Sequence, residues 1–79
     1  MEREKKDNVL FTTMTFKSFS EAVGFMIRVA LLAEQQDHHP RMIIDYKKVE
    51  LRLTTHDAGD TITERDDRLA AAISTLLQP

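Results

Sequence analysis

Cysteine is absent from this 79-residue chain, which excludes disulfide staples, zinc ribbons and thiol catalysis. Glycine and proline are scarce, two of each, and 42% of the residues are hydrophobic against 30% charged, so the chain is neither disordered, collagenous nor of low complexity. Long apolar runs are missing too. None, Val29 to Ala33 included, exceeds five residues, far short of a membrane span, and the charged opening Met1–Asn8 has no apolar core of the kind a secretory signal needs. A soluble, cytoplasmic protein is therefore expected. Nor does charge of one sign dominate: 11 basic against 13 acidic residues give a net charge of −2. No basic patch stands out, so neither nucleic acid nor a membrane surface is expected as a partner. Residues 1–79 suffice for a single domain. A chain this short buries only about 60–65% of its unfolded surface, so its core is thin and association with other copies is favoured.

Periodicity then sketches an order of elements. The first eight residues read as a frayed arm or a weak edge strand turning at Asp7-Asn8. Val9 to Phe16, rich in Thr, Phe and Val, suits a strand with Leu10, Met14 and Phe16 on one face. Ser18 begins a helix, with Glu21 placed to complete its cap. Phe19, Ala22, Val23, Met26, Val29, Ala30 and Ala33 recur at helical spacing, and Phe25, Ile27 and Leu32 widen the stripe. Only Glu21, Gly24, Arg28 and Gln35 leave a polar seam, so helix 19–36 is expected to touch more than its own sheet. Pro40 is expected to end that stretch. A strand at Met42–Tyr46, a turn at Lys47-Lys48 and an alternating strand at Val49–Thr55 make an antiparallel hairpin. His56 to Ile62 is a loop, and Thr63 caps a last helix with an apolar stripe of Leu69, Ala70, Ile73, Leu76 and Leu77. The fold class is α+β, with two helices packed on one face of an antiparallel sheet.

All three histidines fall at element ends: His38 and His39 after the first helix, His56 after a strand. Imidazole, with an ordinary pKa of about 6.5, is the side chain best matched to proton transfer near neutrality. Taken singly, each also reads as a helix-end or solvent-exposed group, and Asp66, at the third position of the last helix, reads as a cap. Metal binding is not favoured. Adjacent histidines point apart, and neither His-x-x-x-His nor cysteine is present.

Taken in order, the segments resemble one family. They are Phe16–Ala22, Val29-Ala30, Ala33-Glu34, Asp37-His38-His39-Pro40, Tyr46, Val49, Leu53–Gly59, Thr63–Asp66 and Leu69-Ala70. The set, spread over Phe16 to Ile73, is similar to pterin-4a-carbinolamine dehydratase, also called 4a-hydroxytetrahydrobiopterin dehydratase. The resemblance implies a lyase that removes water from a pterin 4a-carbinolamine to give quinonoid dihydropterin, in tetrahydrobiopterin recycling. It implies no metal and no cofactor. It makes His38, His39 and His56 the catalytic set, with His38 and His56 as acid and base and His39 holding the pterin. Asp37, Thr54, Thr55 and Asp57 join the histidines in binding substrate, and Glu34 and Asp66 orient imidazoles from behind.

Three departures from the family pattern accompany the match. Met42 stands where many members carry Trp. The loop Gly59-Asp60-Thr61-Ile62-Thr63 is one residue longer than the usual Gly-Leu-Thr form, and the family's N-terminal helix is expected to be missing. The first two bear on substrate affinity rather than on acid–base capacity. The resemblance also implies a homo-oligomer, dimer or tetramer. Its alternative reading is a non-catalytic dimerisation or docking module, like the transcription-factor dimerisation cofactors among some members. Retention of all three histidines favours the enzyme.

Overall fold

The computed structural model describes residues 1–78 and has four strands and two long helices. Strands β1 (Glu4–Lys6), β2 (Val9–Thr15), β3 (Arg41–Asp45) and β4 (Lys48–Leu53) form one antiparallel sheet in the order β1-β2-β4-β3. Helices α1 (Phe19–Gln36) and α2 (Glu64–Thr75) cover one face of it. The α+β arrangement expected from the sequence is the one observed.

Alternation in β2 and β4 decides which face is covered. Leu10 and Thr12 of β2, with Val49, Leu51 and Leu53 of β4, are buried against Ala22, Phe25 and Val29 of α1 and Leu69, Ala70 and Ile73 of α2. The opposite face carries Thr13, Thr15, Lys48 and Arg52, all exposed, beside half-buried Phe11, Ile43 and Glu50. Phe16 lies just beyond β2, its ring centroid 4.9 Å from that of Phe25. Thr12, a polar residue on the inner face, donates its hydroxyl to the Glu2 carbonyl and so tethers the N-terminal segment. The weak edge strand is real: Lys6 pairs with Val9 across a turn whose two residues, Asp7 and Asn8, both have positive φ.

Local chemistry moves three boundaries. The hairpin turn is Tyr46-Lys47, not Lys47-Lys48: Tyr46 takes the left-handed conformation at φ 55°, Lys48 pairs with Asp45, and β3 accordingly runs Arg41–Asp45. Strand β4 stops at Leu53 because Thr54 turns its hydroxyl to the Asn8 carbonyl and Thr55 bridges to Thr61. Helix α1 ends before Pro40 can act. Asp37 adopts φ 50°, its N–H returns to the Glu34 carbonyl at 3.2 Å and that of His38 to the Ala33 carbonyl at 3.0 Å, the two bonds of a Schellman turn. No helix of the described residues is long and apolar enough to cross a membrane.

Candidate functional site

Three chain reversals meet at one end of the sheet. The Schellman turn closing α1 reverses the chain at Asp37, and of the two residues that follow, His38 is buried and His39 is exposed. The end of β4 runs into a short 3-10 turn, His56–Ala58, closed by Gly59 at φ 83°. Helix α2 begins on Thr63, whose hydroxyl accepts from the Arg65 N–H while its own N–H donates to Asp66 Oδ2 at 2.9 Å. An open cleft of about 320 Å³ lies among them, lined by Asp37, His38, His39, Thr54, His56, Asp57 and Arg65. That volume is at the small end of ligand-binding clefts.

Asp66 ties the three reversals together. The carboxylate has no exposed surface; Oδ2 accepts from the Thr63 N–H and, at 2.8 Å, from the Thr55 hydroxyl, while Oδ1 lies 2.6 Å from His38 Nε2. A buried carboxylate is tolerated when its lone pairs are filled, and no buried side-chain polar atom among the described residues lacks a partner. With Nε2 committed to Asp66, the remaining nitrogen of His38 is Nδ1, an acceptor in the neutral ring.

The other two histidines have carboxylates as well, but in water. His39 Nε2 lies 2.6 Å from Glu34 Oε1, both exposed. His56 Nδ1 lies 2.6 Å from Asp60 Oδ1, with the His56 side chain 87% exposed. The hydrogen bond to Asp60 is the largest influence raising the His56 pKa above its ordinary value; the Asp60 charge adds to it, desolvation opposes it slightly, and Asp57 contributes a smaller rise.

Of the residues singled out from the sequence, the structure gathers Asp37, His38, His39, Thr54, His56 and Asp57 around one cleft. It does not bring Thr55 to that lining: Thr55 is buried and its hydroxyl is spent on Asp66 and Thr63. Glu34 and Asp66 stand behind His39 and His38 respectively. Two residues escape the sequence reading. Arg65 lines the cleft, donates from Nη2 to the Asp37 carbonyl at 2.9 Å and holds Nη1 4.0 Å from Asp57 Oδ2. Asp60 is visible in the sequence only as a loop residue. A carboxylate four positions after His56 is the available signal.

Comparison with known proteins agrees with this architecture. The chain matches the family profile described as pterin 4 alpha carbinolamine dehydratase over residues 2–76. It is 56% identical over 64 residues to a protein of Nitrobacter winogradskyi whose pterin-4-alpha-carbinolamine dehydratase name is itself provisional, covering 81% of this chain and 62% of that one. A protein of the same provisional name from Afipia carboxidovorans is 51% identical over 75 residues, 94% of this chain and 74% of its own. The chain thus spans about six-tenths of the length of the first of these relatives. Among solved structures, a transcriptional coactivator/pterin dehydratase from Brucella melitensis superposes with a TM-score of 0.86 at 36% identity, over 92% of this chain and 79% of that one. A pterin dehydratase-like RuBisCO assembly factor of the alpha-carboxysome shares the fold, with a TM-score of 0.75 at 24% identity over 95% of this chain and 86% of its own. On the profile match and these identities, the chain belongs to the pterin 4 alpha carbinolamine dehydratase family.

Proposed function

We propose that this cleft dehydrates a pterin 4a-carbinolamine by histidine acid–base catalysis. The observation that carries the reading is the meeting of His38, His39 and His56, from two separate stretches of chain, around one polar cleft. The reaction breaks the C4a–O bond and forms the C4a–N5 double bond. One imidazolium gives its proton to the departing hydroxyl, which leaves as water, and one neutral imidazole takes the proton from N5. Both jobs suit groups that titrate near neutrality. His38 and His56 fill these roles, with Asp66 orienting the first. His39, backed by Glu34, holds the pterin, and Thr54, Asp37 and Asp57 contribute polar contacts. No metal or cofactor enters the chemistry. The product is a quinonoid dihydropterin, and the reading assigns the protein to tetrahydrobiopterin recycling and to the cytoplasm. Stopped-flow dehydration of a synthetic 4a-hydroxytetrahydropterin tests the reading: acceleration over the spontaneous reaction supports it, and a rate equal to buffer rejects it.

The protein acts as a homo-oligomer in this reading. Strand β3 is a sheet edge, and its exposed ends carry opposite charges, Arg41 and Asp45. Antiparallel pairing of two such edges about Ile43 sets each Arg41 opposite Asp45 of a second copy, a favourable cross-strand pair. On α1, Ile27 and Leu31, 58% and 66% exposed and one turn apart, offer a further apolar surface. That surface also favours the alternative, a non-catalytic dimerisation or docking module. The dehydration assay separates the two, because a docking module needs no rate.

A further inference from the structure

Asp60 lies outside the cleft lining, yet it grips a histidine that belongs to it. Its backbone sits in the left-handed region at φ 57°, directly after Gly59 at φ 83°. Two such residues in succession reverse the chain sharply. The Gly59 N–H returns to the His56 carbonyl at 3.0 Å, the Asp60 N–H to the Thr55 carbonyl at 3.1 Å, and the Thr55 N–H to the Thr61 carbonyl at 2.9 Å. The Asp60 side chain is exposed and buries nothing in the core, so packing does not account for this conformation. The reversal does deliver the Asp60 carboxylate to Nδ1 of His56, at 2.6 Å.

We propose that Asp60 is a positioning residue for the reaction: by accepting the Nδ1–H of His56 it fixes the ring and its tautomer, leaves Nε2 for the substrate, and casts His56 as the acid of the pair. The inference rests on the dehydratase reading of the cleft. His38 then serves as base through Nδ1, since its Nε2 faces Asp66. The proton on His56 Nε2 passes to the leaving hydroxyl, the N5 proton passes to His38, and solvent returns both imidazoles to their starting states. The groups around His56 come from three elements: Asp57 and Asp60 from its own turn and loop, Arg65 from the start of α2, and Asp37, His38 and His39 from the end of α1. Of the carboxylates, Asp60 is the one in hydrogen-bond contact, and the upward displacement of the His56 pKa has Asp60 as its main cause. A raised pKa keeps the imidazolium populated to higher pH, which an acid requires, and its loss sets the alkaline limb of the rate profile.

The experiment pairs proton NMR titration of His56 with the pH profile of kcat/KM, in wild type, Asp60→Asn and Asp60→Glu. Asn tolerates the left-handed conformation, so the fold is retained, and an unchanged Tm checks this. Asp60→Asn is expected to lower the His56 pKa and move the alkaline limb downward with it. On that limb the loss is roughly two- to five-fold, the scale of an exposed ion pair. Asp60→Glu is expected to restore part of both. An unchanged His56 titration in Asp60→Asn overturns the proposal whatever the activity. So does a lowered pKa with an unmoved alkaline limb, which makes the contact structural only. If the wild type does not dehydrate the substrate at all while the titration still shifts, the dehydratase reading and the acid role fall together, and only the His56–Asp60 contact survives.

Discussion

Nε2 of His38 lies 2.6 Å from Oδ1 of Asp66, and that carboxylate is wholly buried. The same group caps α2 through the Thr63 N–H and anchors the end of β4 through the Thr55 hydroxyl. One side chain thus performs two tasks that are separable in principle: it joins three segments, and it fixes which nitrogen of an imidazole is left free of it. A carboxylate that holds an imidazole in one tautomer is a recurring device of acid–base sites.

Asp66→Ala should therefore cost stability and rate together. It strands the Thr63 N–H, the Thr55 hydroxyl and His38, a loss of about 3 kcal/mol or more by analogy with broken buried networks. For a domain of this size that lowers Tm by more than roughly 10 °C. Asp66→Asn should keep most of the cap through its amide oxygen but lose the orienting charge. Its signature is a modest change in Tm with a large fall in kcat, read by thermal unfolding and by dehydration kinetics. A Tm drop in Asp66→Asn as large as that in Asp66→Ala would contradict this separation.

Thr55 provides a second separation. Its hydroxyl faces Asp66 and Thr63 rather than the cleft. Thr55→Val should lower Tm by several degrees, leave KM near wild type and reduce kcat through a loosened Asp66, whereas Thr55→Ser should recover both. A rise in KM alone would show direct substrate binding instead.

These two residues show where the sequence is legible and where it is not. The strands, both helices and their caps follow from local signals: alternation in β4, the Thr63-x-x-Asp66 spacing, the apolar stripe of α2. The histidines are identifiable as candidates for the same reason, since they stand at element ends. Their convergence is not a local property. Only the resemblance to a family puts His38 and His56 in one site, because the stretch between them holds a whole hairpin. The inward direction of His38 depends on a left-handed Asp37, a conformation that a non-glycine residue does not advertise. Lys48 reads as part of the turn because nothing in the sequence marks Tyr46, an aromatic residue, as the one that takes the positive φ there. Arg65 reads with the helix start, and its reach to the Asp37 carbonyl exists only in three dimensions.

Division of labour among the histidines gives a third prediction. His56→Ala removes an exposed group and should lower kcat, by on the order of 10²-fold at most, with Tm unchanged. His38→Ala should lower kcat to a similar extent and also Tm, because it leaves Asp66 without its partner. The double variant should lose far more than either single one, since groups acting as a unit are not additive. His39→Ala should raise KM with a smaller effect on kcat, and Glu34→Gln should do the same more weakly. A well-folded double variant with wild-type kcat would remove both residues from the chemistry.

The last prediction concerns the β3 edge. Within one copy, Arg41 stands directly opposite Arg52 of β4, an unfavourable cross-strand neighbour, and Arg52 directs its Nε to Glu50 at 2.6 Å rather than to any group on β3. Arg41 thus lacks an acidic partner on its own sheet face among the described residues. Antiparallel pairing of two edges about Ile43 gives it one, Asp45 of the second copy, and the twofold symmetry repeats the pair. The charge code is testable by exchange. Arg41→Asp should be monomeric in sedimentation at micromolar concentration, since the introduced carboxylate then meets Asp45 across the interface. Asp45→Arg should be monomeric as well, because the introduced guanidinium then faces Arg41. Mixing those two single variants restores opposite charges at both positions, so a heterodimer should form from two chains that do not self-associate. The double variant Arg41→Asp/Asp45→Arg should recover the homodimer. A wild-type 9.1 kDa monomer at micromolar concentration would reject association altogether. Single variants that remain dimeric would instead move the interface away from β3, leaving the exposed Ile27 and Leu31 of α1 as the surface to test next.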